Sequence, residues 1–176
     1  MIFVGGIHGV GKSFLCSQLA PAWNLKHLSA GELIRRRREA AQTVDKRVSD
    51  VRNNQDVLVE AFQAIPVGDS FLLLDGHFCL LDSTQKISRI PIETFRDLAP
   101  LAALVVHDEV QQVQHRLESR DGNSYSVELL TALQDAELSH AEDVCSDIGI
   151  ELLSVRADML SEAAQFIARK LEASSL

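Results

Sequence analysis

The chain has only three cysteines, Cys16, Cys79 and Cys145, odd in number, far apart and without a C-x-x-C pair. That argues against a disulfide framework or a zinc site and fits a reducing compartment. Positive charge is not in excess either: 17 Lys and Arg against 25 Asp and Glu give a net charge of −8. A general nucleic-acid binder is more often basic, so the composition argues against that partner. No apolar run approaches the ~20 residues of a membrane span. The N-terminus lacks a basic region and a signal-peptide core, because glycines and Lys12 interrupt its apolar run. Internal repeats, low-complexity tracts and interdomain linkers are also missing. What is there is 176 residues, 46% apolar and 24% charged, enough for one domain with a real core. These properties predict a single soluble domain over residues 1–176, working in the cytoplasm without membrane contact.

Against this plain background one stretch stands out. Gly6-Ile7-His8-Gly9-Val10-Gly11-Lys12-Ser13 fits G-x-x-x-x-G-K-[ST]. It follows an apolar, β-branched run (Ile2, Phe3, Val4) and precedes a helix-forming segment, the strand–loop–helix context that the motif requires. In such a loop the glycines let successive backbone N–H groups converge on phosphate oxygens, and the helix start adds the positive end of its dipole. The spacing therefore predicts a nucleoside triphosphate site, ATP first, formed by Gly6, His8, Gly9, Val10, Gly11, Lys12, Ser13 and the adjoining Phe14. Lys12 is expected to reach the β- and γ-phosphates, and the Ser13 hydroxyl to ligate Mg²⁺. As an aromatic, Phe14 reads as core, like Trp23, rather than as a stacking platform.

The rest of the chain alternates strand and helix signals. Leu15, Leu19 and Ala22 recur at helical spacing until Pro21 limits the helix. Leu25–Leu28 reads as a strand, and Ser29 with Glu32 forms a capping-box pattern for a helix carrying Arg35 to Arg38. A second helix places Val48, Val51, Gln55, Leu58, Phe62 and Ile65 on one face and ends at Pro66 and Gly68. Phe71–Asp75 is a continuous apolar run closed by an acid, the signature of a strand buried on both faces. Residues 76–90 read as a loop, and Pro91 opens a short helix through Asp97. Leu101–His107 is the next strand, with Asp108 and Gln111 as a second capping-box pattern. A helix with Val110, Val113 and Leu117 inward leads to the turn Asp121-Gly122-Asn123. A long helix from Ser126 to about Asp147 stops at Gly149. Ile150–Val155 and a helix on Leu160, Ala163, Ile167 and Leu171 complete the chain. Five strands alternating with helices predict a three-layer α/β fold, a parallel sheet covered on both faces.

In such sheets ligands bind at the carboxyl ends of the strands. Asp75 ends its strand and is the natural second ligand for the cation on Ser13. Its dull alternative is a strand-end turn residue. Arg35 lies one turn into its helix and can point back over the phosphates, although most of the arginine run is a solvated face. Arg116 and Arg120, at i and i+4, suit the charge that builds up in phosphoryl transfer. Their plain alternative is a salt-bridged surface with Glu118 and Asp121. His8 and His77 are placed near phosphate, where a neutral imidazole can donate to the substrate or act as a base; the plain alternative for either is loop packing. His27, His107, His115 and His140 show no metal-binding spacing.

Together these residues resemble the adenylate-kinase-like family of nucleoside monophosphate kinases over nearly the whole chain. Gly6–Ser13 looks like that family's phosphate loop, and Phe71–Gly76 like its strand ending in D-G. Leu28–Arg35 is similar to its S-T-G-D-x-x-R segment, whose arginine holds the acceptor monophosphate. The resemblance implies a P-loop NTPase fold with strand order 2-3-1-4-5 and acceptor-binding helices over residues 30–66. It also implies a short lid over 116–126 based on Arg116 and Arg120, as in the compact archaeal-type enzymes. The acceptor would then touch Ser29, Gly31, Arg35, Gly76 and His77. Two departures bear on the acceptor. Ala30 replaces a threonine, and His77-Phe78-Cys79 replaces phenylalanine-proline-arginine.

The expected activity is Mg²⁺-dependent transfer of the ATP γ-phosphoryl to a nucleoside monophosphate or similar small acceptor, with Lys12, Arg116 and Arg120 as the catalytic cations. One alternative keeps the fold and changes the acceptor to a sugar, a sugar acid or another hydroxyl compound. A second is a nucleotide-gated ATPase that serves a macromolecular partner.

Overall fold

The computed structural model describes residues 1–44, 54–66, 71–82 and 84–173. Strands β1 (Ile2–Gly5), β2 (Lys26–Ser29), β3 (Leu72–Asp75), β6 (Ala102–His107) and β7 (Glu151–Arg156) form one parallel sheet in the order β2-β3-β1-β6-β7. That is the expected 2-3-1-4-5 once a short hairpin is counted between its third and fourth strands. The hairpin, β4 (Cys79–Leu81) with β5 (Ile87–Arg89), corrects the reading of residues 76–90 as a loop. Strands of three residues are too short to show an alternating pattern. Asp82 turns the corner by accepting from the backbone N–H groups of Thr84 and Lys86 at 2.7 and 3.0 Å.

Helices cover both faces of the sheet. On one side α1 (Lys12–Leu19), α5 (Val110–Asp121) and α7 (Leu160–Ala173) bury Leu15, Val113, Leu117, Ala163 and Ile167 against Ile2 and Val4. On the other lie α3 (Asn54–Gln63) and α4 (Ile92–Leu98), which bury Leu58 and Phe95 against Phe3 and Leu74. Alternation along β1 thus feeds two cores from one strand. Phe3 sits edge-on to Phe78 and Phe95, with ring centroids 5.0 and 5.3 Å away. The long α6 (Val127–Ile148) touches both cores, with Leu130 and Leu133 in one and Ala141 and Val144 in the other.

Helix ends follow the sequence at some places and not at others. Ser126 caps α6 by accepting from Leu129 N at 3.2 Å, and Gly149 closes it with φ 73°. The two capping-box readings are corrected. Glu32, near the start of α2 (Ala30–Val44), turns to Arg35 and Arg36. Glu109, not Asp108, occupies the cap position of α5, and Asp108 pairs with Arg116. Val48, Val51 and Gly68 lie outside the described residues. Among the described residues no helix is long and apolar enough to cross a membrane.

Register brings the carboxyl ends of the strands together. Val4 and Ser29 both pair with Asp75, and Gly5 pairs with Val105. The loops after β1, β2, β3, β6 and β7 therefore open on one side of the sheet.

Candidate active site

Those loops surround a cavity of about 620 Å³. Its floor is the glycine loop between β1 and α1. Gly9 and Gly11 have φ of 77° and 110°, the left-handed region that lets neighbouring N–H groups point the same way. Neither has room for a side chain. A Cβ on Gly9 would lie 2.8 Å from Leu117, and one on Gly11 2.7 Å from Ala157. Val10 is buried below, and Phe14 is half exposed along the cavity wall. The core reading of Phe14 is thereby corrected: Leu15 and Cys16, one and two places on, take the buried face of α1.

Lys12 is buried and donates to the carbonyls of Gly6 and Ile7 at 2.7 and 3.0 Å. Burial lowers its pKa from 10.5 to about 8, against the pull of Glu137 and Asp75. The Ser13 hydroxyl donates to Asp75 Oδ2 at 3.1 Å, and the same oxygen meets His27 Nε2 at 2.6 Å. Burial alone would raise Asp75, but His27, Lys12 and Ser13 hold it below the ordinary carboxylate value. Ser13 and Asp75 are hard oxygen donors at the cavity surface and fit Mg²⁺.

The arginines divide. Arg116 reaches the cavity, its guanidinium gripped by Asp108 and by the Val10 carbonyl at 3.2 Å. Arg120 also lines it, held by Asp121, which in turn accepts from the Tyr125 hydroxyl at 2.6 Å. Arg35 is not brought to the cavity. It is exposed and binds Glu32 and Glu39 on its own helix, at 2.6 and 2.8 Å. Ser29 lines the large cavity, whereas Gly31 lines a smaller one of about 60 Å³ beside it. Gly76 donates to Val4 O at 3.0 Å and lies against Phe3.

His77 stands in the wall between the two cavities and lines both. Its ring is 4.2 Å from that of His8. Burial holds both imidazoles below their ordinary pKa, His77 well below, and Lys12 adds to each. The smaller cavity is mostly apolar, with Leu58, Leu80, Ile90 and Phe95 around it and Gln55, Thr94 and His77 as its polar points.

Asp108, Ala157 and Asp158 line the cavity without having been expected there, and a further residue, behind the loop, also escaped the sequence reading. Glu137, on α6, is buried and accepts three backbone N–H groups: Gly6 at 2.7 Å, Phe78 at 2.8 Å and Cys79 at 2.5 Å. It ties the start of the phosphate loop to the loop after β3. The signal was its place in the stripe Leu130, Leu133, Glu137, Ala141, Val144, a carboxylate on an otherwise apolar face.

Residues 5–133 match the family model of the AAA domain, a span from the end of β1 into α6 that contains the glycine loop, Asp75 and both cavity arginines. The chain belongs to the AAA domain family. No curated protein sequence matches this AAA domain chain. Its fold is similar to that of a gluconokinase from Sinorhizobium meliloti 1021, with a TM-score of 0.55 and 16% identity over 98% of this chain and 91% of the other. It is also similar to a shikimate kinase from Aquifex aeolicus vf5, with a TM-score of 0.55 and 14% identity over 99% of this chain and 98% of the other. At such identities the likeness shows a shared fold alone and does not single out the adenylate-kinase branch.

Proposed function

We propose that this AAA domain protein is an ATP-dependent phosphotransferase that acts on a small acceptor, a nucleoside monophosphate or a similar compound. The observation that carries the proposal is the convergence of Lys12, Ser13, Asp75, Arg116 and Arg120 on one cavity whose floor is the glycine loop. The loop N–H groups and Lys12 seat the triphosphate. Ser13 and Asp75 would hold Mg²⁺, which supplies charge neutralisation on the phosphates. An acceptor oxygen bonds to the γ-phosphorus while the bond to the β-phosphate oxygen breaks, and ADP leaves. Arg116 and Arg120 stabilise charge on the transferring group. No covalent intermediate is needed, because positioning and electrostatics carry phosphoryl transfer.

A second reading of the acceptor is favoured by Arg35 and the smaller cavity. The arginine expected to hold an acceptor phosphate is engaged on its own helix, and the residues described around that cavity include no Asp, Glu, Lys or Arg. Such a pocket suits a non-nucleotide acceptor that presents a hydroxyl at His77. ADP release, measured by a coupled assay over a panel of monophosphates, sugars and hydroxy acids with Lys12→Ala as control, decides between the two. Release stimulated by no acceptor on the panel would instead favour a nucleotide-gated ATPase with a macromolecular partner.

A further inference from the structure

We propose that Cys16, His27 and Asp75 form a second cation site, for a thiophilic divalent ion such as Zn²⁺, and that its occupation takes Asp75 away from the Ser13 side. Cysteine spacing alone argues against a zinc site, but the three residues come from three elements, α1, β2 and β3, that the sheet packs together. Their ligand atoms all lie within 4.8 Å of one another. Thiolate, imidazole and carboxylate are the donors that Zn²⁺ prefers, and three protein ligands plus water is a common zinc set.

The geometry is close to a coordination shell. Zn–S of about 2.3 Å and Zn–N or Zn–O of about 2.0–2.2 Å put tetrahedral ligands roughly 3.3–3.8 Å apart. His27 and Asp75, now 2.6 Å apart, need to separate by about 1 Å, and the sulfur, within 4.8 Å of both, has at most about 1 Å to close. A route in exists, since Asp75 borders the large cavity and a quarter of the His27 side chain is exposed. On binding, the Cys16 thiol gives its proton to solvent, and Nε2 of His27, which meets the Asp75 carboxylate in the empty site, gives up its hydrogen so that its lone pair faces the metal, with the ring N–H on Nδ1.

The site differs from the Ser13–Asp75 pair in ligand softness. Zn²⁺ outcompetes Mg²⁺ wherever sulfur and imidazole are offered, whereas hard oxygens suit Mg²⁺. Because Asp75 belongs to both, the two occupations oppose each other. That inhibitory consequence rests on the phosphotransfer reading, but the binding itself does not.

The probe is Co²⁺ added to the chelator-treated full chain. One equivalent is expected to give a thiolate-to-cobalt charge-transfer band and visible bands of tetrahedral intensity, both lost on adding Zn²⁺. Cys16→Ser should abolish the charge-transfer band, and His27→Gln should weaken Co²⁺ binding at least tenfold. Stoichiometric Zn²⁺ should slow Mg²⁺-ATP turnover at least tenfold in the wild type and leave Cys16→Ser unaffected. No charge-transfer band in the wild type overturns the site, as does a band undiminished in Cys16→Ser. Without phosphotransfer activity, the cobalt spectrum still reports the site, so the two failures are separable.

Discussion

Removing the Glu137 carboxylate tests how the donor and acceptor loops are held together. In Glu137→Ala three buried N–H groups, of Gly6, Phe78 and Cys79, lose their acceptor. Each orphaned donor costs about 1–3 kcal/mol, so the sum is at least about 3 kcal/mol before the cavity left by the side chain is counted. A domain with roughly 5–15 kcal/mol in total loses much of its stability. Glu137→Gln is milder. One oxygen can still serve Gly6 and Phe78, but the amide turns a donor towards Cys79 N–H. About 2 kcal/mol is expected, equivalent to a fall in Tm of about 4–8 °C for a chain of this size. Urea denaturation followed by circular dichroism, with a thermal melt alongside, measures both variants. The Gln variant should also bind ATP more weakly at neutral pH, because the charge that supports the Lys12 ammonium is gone. A Glu137→Ala protein within about 0.5 kcal/mol of the wild type would refute the reasoning, since surface-like substitutions fall in that range.

Three further expectations concern the cavity. Lys12 has its folded pKa lowered to about 8, so the charged form is disfavoured in the fold; the free protein gains stability as pH rises from about 8 towards 10.5. ATP needs the ammonium, so its affinity should fall by up to about tenfold per pH unit above 8, with proton uptake on binding; calorimetry in buffers of different ionisation enthalpy checks this, and a flat profile from pH 7 to 9.5 contradicts it. Gly11→Ala, with its Cβ 2.7 Å from Ala157, should lose most ATP affinity, whereas Gly122→Ala, where nothing lies within 4 Å, should cost only about 1 kcal/mol of stability. Arg120→Ala should lower turnover about 10²–10³-fold with little change in ATP affinity, whereas Arg35→Ala should leave both turnover and the melting temperature near wild type; steady-state kinetics and melts distinguish them.

The parts legible in the sequence were those fixed by short-range rules. The glycine loop announces itself because its octet, its strand and its helix are contiguous. The place of Asp75 beside Ser13 could be read because a strand buried on both faces and closed by an acid ends at the edge where the loop lies. Ser126 and Gly149 follow from capping chemistry. What could not be read depends on groups far apart in the chain. Asp108 looks like a cap until β7 and α5 bring Arg156 and Arg116 to it. Glu137 is 131 residues from Gly6. Arg35 was expected over the phosphates, but Glu32 at i−3 and Glu39 at i+4 capture it on its own helix, an outcome that helical charge spacing foreshadowed. The hairpin β4–β5 failed for a different reason, being too short to carry a period.

Isothermal titration of the purified chain with Mg²⁺-ATP, wild type against Lys12→Ala, tests most directly whether the glycine loop seats a triphosphate. Saturable 1:1 binding is expected in the wild type, weakened at least tenfold by the substitution. No heat with ATP or GTP in the wild type, or equal affinity in the two proteins, would contradict the account.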